Sequence, residues 1–141
     1  MLIEKKREYG DFLPFLQKEE QFNNAVHELT TYNQKQNHWM WFLFPNLAKF
    51  GESYYSKYFG FYDENEAKLF YKNKILNKRL FCLFQIVDTL LNKHSIKFIM
   101  TNKIDRMKFQ SCIDLFYSIS NQEKEVQLLE SLQLKLFVVE K

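Results

Sequence analysis

Apolar residues recur at spacings of three and four along most of the chain, the pattern of helices that each turn one face to a core. The clearest run spans Ile75 to Leu91, where Leu76, Leu80, Leu83, Phe84, Val87, Leu90 and Leu91 share one side. Glu123 to Phe137 repeats it through Val126, Leu129, Leu132 and Leu136, and the closing Phe-Val-Val suits either a frayed end or a short strand. Near the start, Asp11 followed by Phe-Leu-Pro marks a helix entry, because the aspartate accepts orphan N–H groups and Pro14 sits where its missing N–H costs little. Phe15, Phe22, Val26 and Leu29 then predict one continuous first helix. Glu52 to Phe59 predicts a short helix ending near Gly60, where a left-handed backbone is cheap, and Asp63 with Glu66 reads as a capping box. Ser95 caps a short segment through Met100. Asp105 to Tyr117 forms another helix that sets Asp105, Lys108 and Ser111 three residues apart on one face.

Between the first helix and Glu52 the pattern is ambiguous. Gln36 to Ala48 carries no formal charge, and its centre reads HWMWFLFP. Pro45 argues against a central strand and limits any helix through Phe44, so a short buried segment followed by a turn at Asn46 to Gly51 is expected. Helical turns here would put Lys35, His38 and Trp41 on one side and Trp39 and Leu43 on another.

Composition narrows the fold class. At 141 residues, 46% of them hydrophobic, the chain has the size of one domain, and 3 Gly with 2 Pro favour long helices over a many-stranded sandwich. The expected fold is all-α: a compact single domain of about five to seven helices over residues 11–141, with room for a short C-terminal strand, preceded by an extension over residues 1–10. Cys82 and Cys112 are too few for a disulfide scaffold and MLIEKKREYG lacks an apolar signal segment, so a reducing cytoplasm is the expected location. Cys82 falls within the strongest apolar pattern and is read as core, Cys112 as nearer a polar face. No apolar run reaches the length of a membrane span.

Charge adds a field. Residues 68 to 108 hold ten Lys plus Arg against Asp88 and Asp105, a local +8 within a chain of net +3. An anionic partner fits this field, but with only three Arg and no nucleic-acid fingerprint, nucleic acid is not the expected one. His27, His38 and His94 show no zinc spacing, so neither a metal nor a cofactor is expected, and Ser53 and Ser111 lack a nucleophile-elbow motif.

Two polar blocks could carry chemistry. In the first, His38 is a titratable imidazole between indoles, Lys35 can meet an anionic oxygen and Trp41 can stack on a planar group. The competing structural role is a buried hydrogen-bond network in which His38 fixes a chain turn. In the second, Asp105 can orient His38 or a ligand hydroxyl, Lys108 can neutralise a phosphate or carboxylate and Ser111 can donate, against a plain role for Asp105 as a helix cap. The aromatic run Tyr54-Tyr55-Ser56-Lys57-Tyr58-Phe59 cannot face one way, and divides between core and pocket wall or serves a protein interface.

Lys35-Gln36-Asn37-His38-Trp39-Met40-Trp41-Phe42-Leu43-Phe44-Pro45-Asn46 resembles the K-x-x-H-W-M-W-F-x-F-P-Q core of a bacterial family of uncharacterised helical proteins, domain of unknown function family 1810, which carries a calpastatin-like label. The resemblance continues through Gly51-x-Ser53, Phe59-Gly60-Phe61, Glu66-Ala67 and Leu76 to Leu80. It resumes at Asp105 to Cys112, similar to a D-D-x-K-L-R-S-S block, and reaches Leu115-Phe116. Asn37 stands where the family has Ser, Asn46 where it has Gln, Arg106 where it has an acid, Gln110 where it has a basic residue and Cys112 where it has Ser. The resemblance implies a compact helical domain and no established reaction; the label is no warrant for protease inhibition. The leading expectation is an intracellular protein binding a small anionic or nucleotide-related ligand. In an enzymatic version His38 transfers a proton and Asp105 orients it, while Lys35, Trp41, Lys108 and Ser111 bind ligand. The alternative is a non-enzymatic module that binds a protein partner or a second copy of itself.

Overall fold

The computed structural model describes residues 6–139. In chain order the helices are α1 (Leu13–Leu16), α2 (Glu19–Thr31), α3 (Met40–Leu43), α4 (Tyr54–Phe59), α5 (Glu64–Lys72), α6 (Lys74–Leu90), α7 (Ile96–Ile99), α8 (Lys103–Ile119) and α9 (Glu123–Val139), with a 3-10 turn at Ala48–Phe50. Among the described residues these nine α-helices are joined by no strand, only an isolated bridge between Leu47 and Phe61. The expected five to seven helices undercounted the fold because α1, α3 and α7 have four residues each, too few to display a period. The C-terminal strand is likewise corrected: α9 runs on through Val139, its Leu129, Leu132 and Leu136 buried in the core.

α6 is the central element, packed against α1, α2, α5 and α9, while α9 also packs on α8. Leu80, Leu83, Phe84 and Val87 of α6 meet a core that includes Phe109, Cys112, Ile113 and Phe116 of α8. The first helix breaks after Leu16, which separates two tasks. α1 seats Phe15 edge-on to Phe59 and Phe70, at 5.3 and 5.2 Å between ring centroids, while α2 buries Ala25 and Leu29. The cysteine assignments are reversed: Cys82 is exposed and Cys112 buried. Cys112 continues the stripe Phe109, Ile113, Phe116, whereas position 82 lies off the line through Leu80, Leu83, Phe84 and Val87.

At the start of α5 one acid is a cap and the other sits where an apolar stripe would place a hydrophobe. Asp63 caps α5 by accepting from the Glu66 N–H at 2.8 Å, but the Glu66 side chain makes no return to Asp63. It is buried beside Arg7, bidentate at 2.8 and 2.9 Å, and also accepts from the Gly10 and Tyr62 N–H groups. Burial pushes the Glu66 carboxyl up, and these hydrogen bonds and the guanidinium outweigh it and hold the group below its ordinary value. Arg7, within the stretch read as an extension, is therefore anchored in the interior; residues 1–5 of that stretch, and 140–141 at the other end, lie outside the described residues. Gly60 is not left-handed, with φ at −67°. A Cβ there would come within 2.4 Å of the Ala48 Cα, so glycine lets the end of α4 touch the 3-10 turn. No helix among the described residues is long and apolar enough to cross a membrane.

Candidate functional site

The segment between α2 and α3 is held from two sides. The Lys35 N–H donates to the Ile99 carbonyl at 2.8 Å, and the Gln34 side-chain amide to that of Phe98. From below, Glu28 of α2 collects four donors. Its Oε1 accepts from the N–H groups of Gln36 and Asn37 and from the Trp39 indole Nε1, at 2.7, 3.0 and 3.0 Å, and its Oε2 accepts from the Asn37 amide at 2.9 Å. Burial pushes the Glu28 carboxyl up; the donors together outweigh that and hold it below its ordinary value. The ionised carboxylate thus folds the chain so that Trp39 enters the core while His38 and Trp41 face the cleft, which Lys35 also lines with its Nζ 5.1 Å from the Trp39 ring centroid.

Opposite stands α8. Asn102, not Asp105, caps it, its Oδ1 accepting from the Ile104 and Asp105 N–H groups at 2.7 and 3.3 Å. The Asp105 carboxylate is left to pair with Lys35 Nζ at 3.0 Å, which ties the two polar blocks together. Between them opens a cleft of about 830 Å³, and Lys35, His38, Trp41, Asp105, Lys108 and Ser111 all line it. That size lies in the range of small-molecule sites.

The partners inside differ from those expected. Asp105 serves Lys35 rather than His38. His38 is exposed, its ring 6.3 Å from that of Trp41, so the buried network that fixes the turn belongs to Glu28 and Trp39 instead. Lys108 Nζ donates to the Ser56 hydroxyl at 2.9 Å and lies 5.7 Å from the Trp41 ring centroid. Burial pulls the Lys108 ammonium below its ordinary value; the Asp105 carboxylate opposes this and the Lys35 ammonium adds to it. Trp41 also leans on Tyr55 of α4, at 5.4 Å between centroids. Among the described residues no group of three His, Cys, Asp or Glu could hold a metal ion.

Two contributors escaped sequence reasoning. Ser56 is the small polar residue inside an aromatic run, the only local hint that one face of α4 turns from the core. Glu28 lies between Ala25 and Leu29 on the buried face of α2, and an acid in such a stripe signals a buried acceptor. Asn46, noted only as a departure from Gln, joins turn to helix: its amide donates to the Lys108 carbonyl at 2.7 Å.

No curated protein matches the chain. Among solved structures, the crystal structure of the conserved hypothetical protein Rv1873 from Mycobacterium tuberculosis matches with a TM-score of 0.82 and 26% sequence identity, over 93% of this chain and 90% of that one. The family model described as "Protein of unknown function (DUF1810)" matches residues 12–134, and the chain belongs to that family.

Proposed function

We propose that the cleft binds a small anionic, nucleotide-related ligand, with its anionic group at Lys108 and Lys35 and a planar group on Trp41. The observation that carries this reading is the pairing of charges. Of the two carboxylates lining the cleft, Glu52 is exposed and Asp105 is engaged by Lys35, so Lys108 has the neutral Ser56 hydroxyl as its hydrogen-bond partner and feels Asp105 only at longer range. A half-buried ammonium without a carboxylate in contact gains from a bound anion, more than it would in bulk water. Trp41 beside it offers an aromatic face. In an enzymatic version, proton transfer falls to the exposed His38, and Asp105 acts by holding Lys35. The two free cysteines suit the cytoplasmic setting.

Calorimetric titration with AMP, ribose 5-phosphate and inorganic phosphate tests the reading. Wild type should bind at least one of them, and Lys108→Met should weaken that binding by about tenfold or more, as expected for loss of a hydrogen-bonded charge contact. Absence of binding by wild type to all three overturns it. A second reading has its own support: Phe50, Ile104 and Met107 line the same cleft yet are 60% exposed or more. Such an apolar rim suits a protein partner. Concentration-dependent self-association without any ligand response would favour that module.

A further inference from the structure

We infer that the Ser56 hydroxyl contacts the ligand directly, and that Ser53, Ser56 and Lys108 form one subsite for a fully ionised oxyanion such as a phosphate group. This rests on the ligand reading above and adds a residue and a chemical selectivity to it.

A hydroxyl has one O–H and two lone pairs. Both acceptor positions of Ser56 are in use: Lys108 Nζ donates to its Oγ at 2.9 Å, and the Ser53 hydroxyl donates to it at 2.9 Å. Ser53 Oγ also accepts from the Ser56 N–H at 3.1 Å, which holds the two hydroxyls side by side. With Ser53 donating, no protein group among the described residues accepts the proton of Ser56, and its side chain lines the cleft. Two donors feeding one hydroxyl polarise it, so its remaining O–H becomes a stronger donor toward the cavity.

The backbone is shaped for this placement. A Cβ on Gly51 would lie 2.3 Å from the Ser56 Cβ, so the Ser56 side chain fills the space a residue other than glycine would need. Gly60, one turn on, would meet the Ser56 carbonyl at 2.6 Å and the Ala48 Cα at 2.4 Å. Of three glycines in the chain, two thus bring α4 against the 3-10 turn and set Ser56 in the wall facing Lys108. Toward the cavity the subsite they make turns the Lys108 N–H groups and the Ser56 O–H as donors. Its complement is an atom group with acceptors only, a deprotonated oxyanion.

The test is titration of inorganic phosphate and AMP into wild type, Ser56→Ala, Ser56→Cys and Ser53→Ala, with thermal unfolding as the control for folding. Ser56→Ala should bind about tenfold more weakly or worse, the effect of one hydrogen bond to a charged group, with its melting temperature little changed. Ser53→Ala should lose a smaller factor, because it removes polarisation and not the contact. If Ser56→Ala is poorly folded, Ser56→Cys, which keeps the shape with a weak donor, should show the same direction of loss. Binding by the folded Ser56 variants within twofold of wild type overturns the inference and leaves Lys108 as an anion site. Absence of binding by wild type overturns the ligand reading and the inference with it.

Discussion

Glu28 is the point at which a single substitution should unsettle both stability and the cleft. It is 4% exposed and accepts four hydrogen bonds, three of them on Oε1. Glu28→Ala strands the buried Trp39 N–H, for about 1–3 kcal/mol, and two partly buried backbone N–H groups, for about 1 kcal/mol each. The Asn37 amide is exposed and turns to water at little cost. The sum is about 3–5 kcal/mol, read by urea denaturation at pH 7. Glu28→Gln keeps an oxygen for the three donors and faces an NH2 toward Asn37, which can turn its amide over, so about 1 kcal/mol is expected.

The pH dependence has a definite sign. The native carboxyl lies below its ordinary value of 4.5, so ionised Glu28 adds stability that is complete above that value and is lost as the pH falls through the lower native one. The margin of wild type over Glu28→Gln should therefore shrink in acid. Glu28→Ala within about 0.5 kcal/mol of wild type, or a margin that widens on acidification, would refute the assignment of Glu28 as the ionised anchor of the Lys35 to Trp39 segment.

Leu83 is fully buried in the α6 stripe, so Leu83→Ala should cost about 2–5 kcal/mol in chemical denaturation, and a change below about 0.5 kcal/mol would contradict the packing. With Cys82 exposed, and with Cys112 buried and its thiol pushed well up by that burial, an aromatic disulfide reagent should titrate one thiol in the native protein and two in denaturant. Rapid native reaction of both would place Cys112 outside the core.

Long amphipathic stretches were legible along the chain. The stripes of α6 and α9 and the caps at Ser95 and Asp63 depend on neighbours within a few residues, and periodicity reports such neighbours. The six polar and aromatic residues singled out from the two blocks do line one cleft, but which of them touch was not written locally. Asp105 reads as a cap, a histidine partner or a partner of a ligand hydroxyl until Asn102 takes the cap and the packing of α7 and α8 brings Lys35 to it. The same holds for Cys82 and Cys112, whose exposure turns on small rotations about their helices. It holds too for Glu28 and Glu66, acids tolerable in the interior only because donors from distant segments surround them. Helix formation is a property of sequence neighbours. Satisfaction of a buried charge, and the space left beside a glycine, are properties of whatever the folded chain brings within three ångströms, and only the tertiary structure decides those.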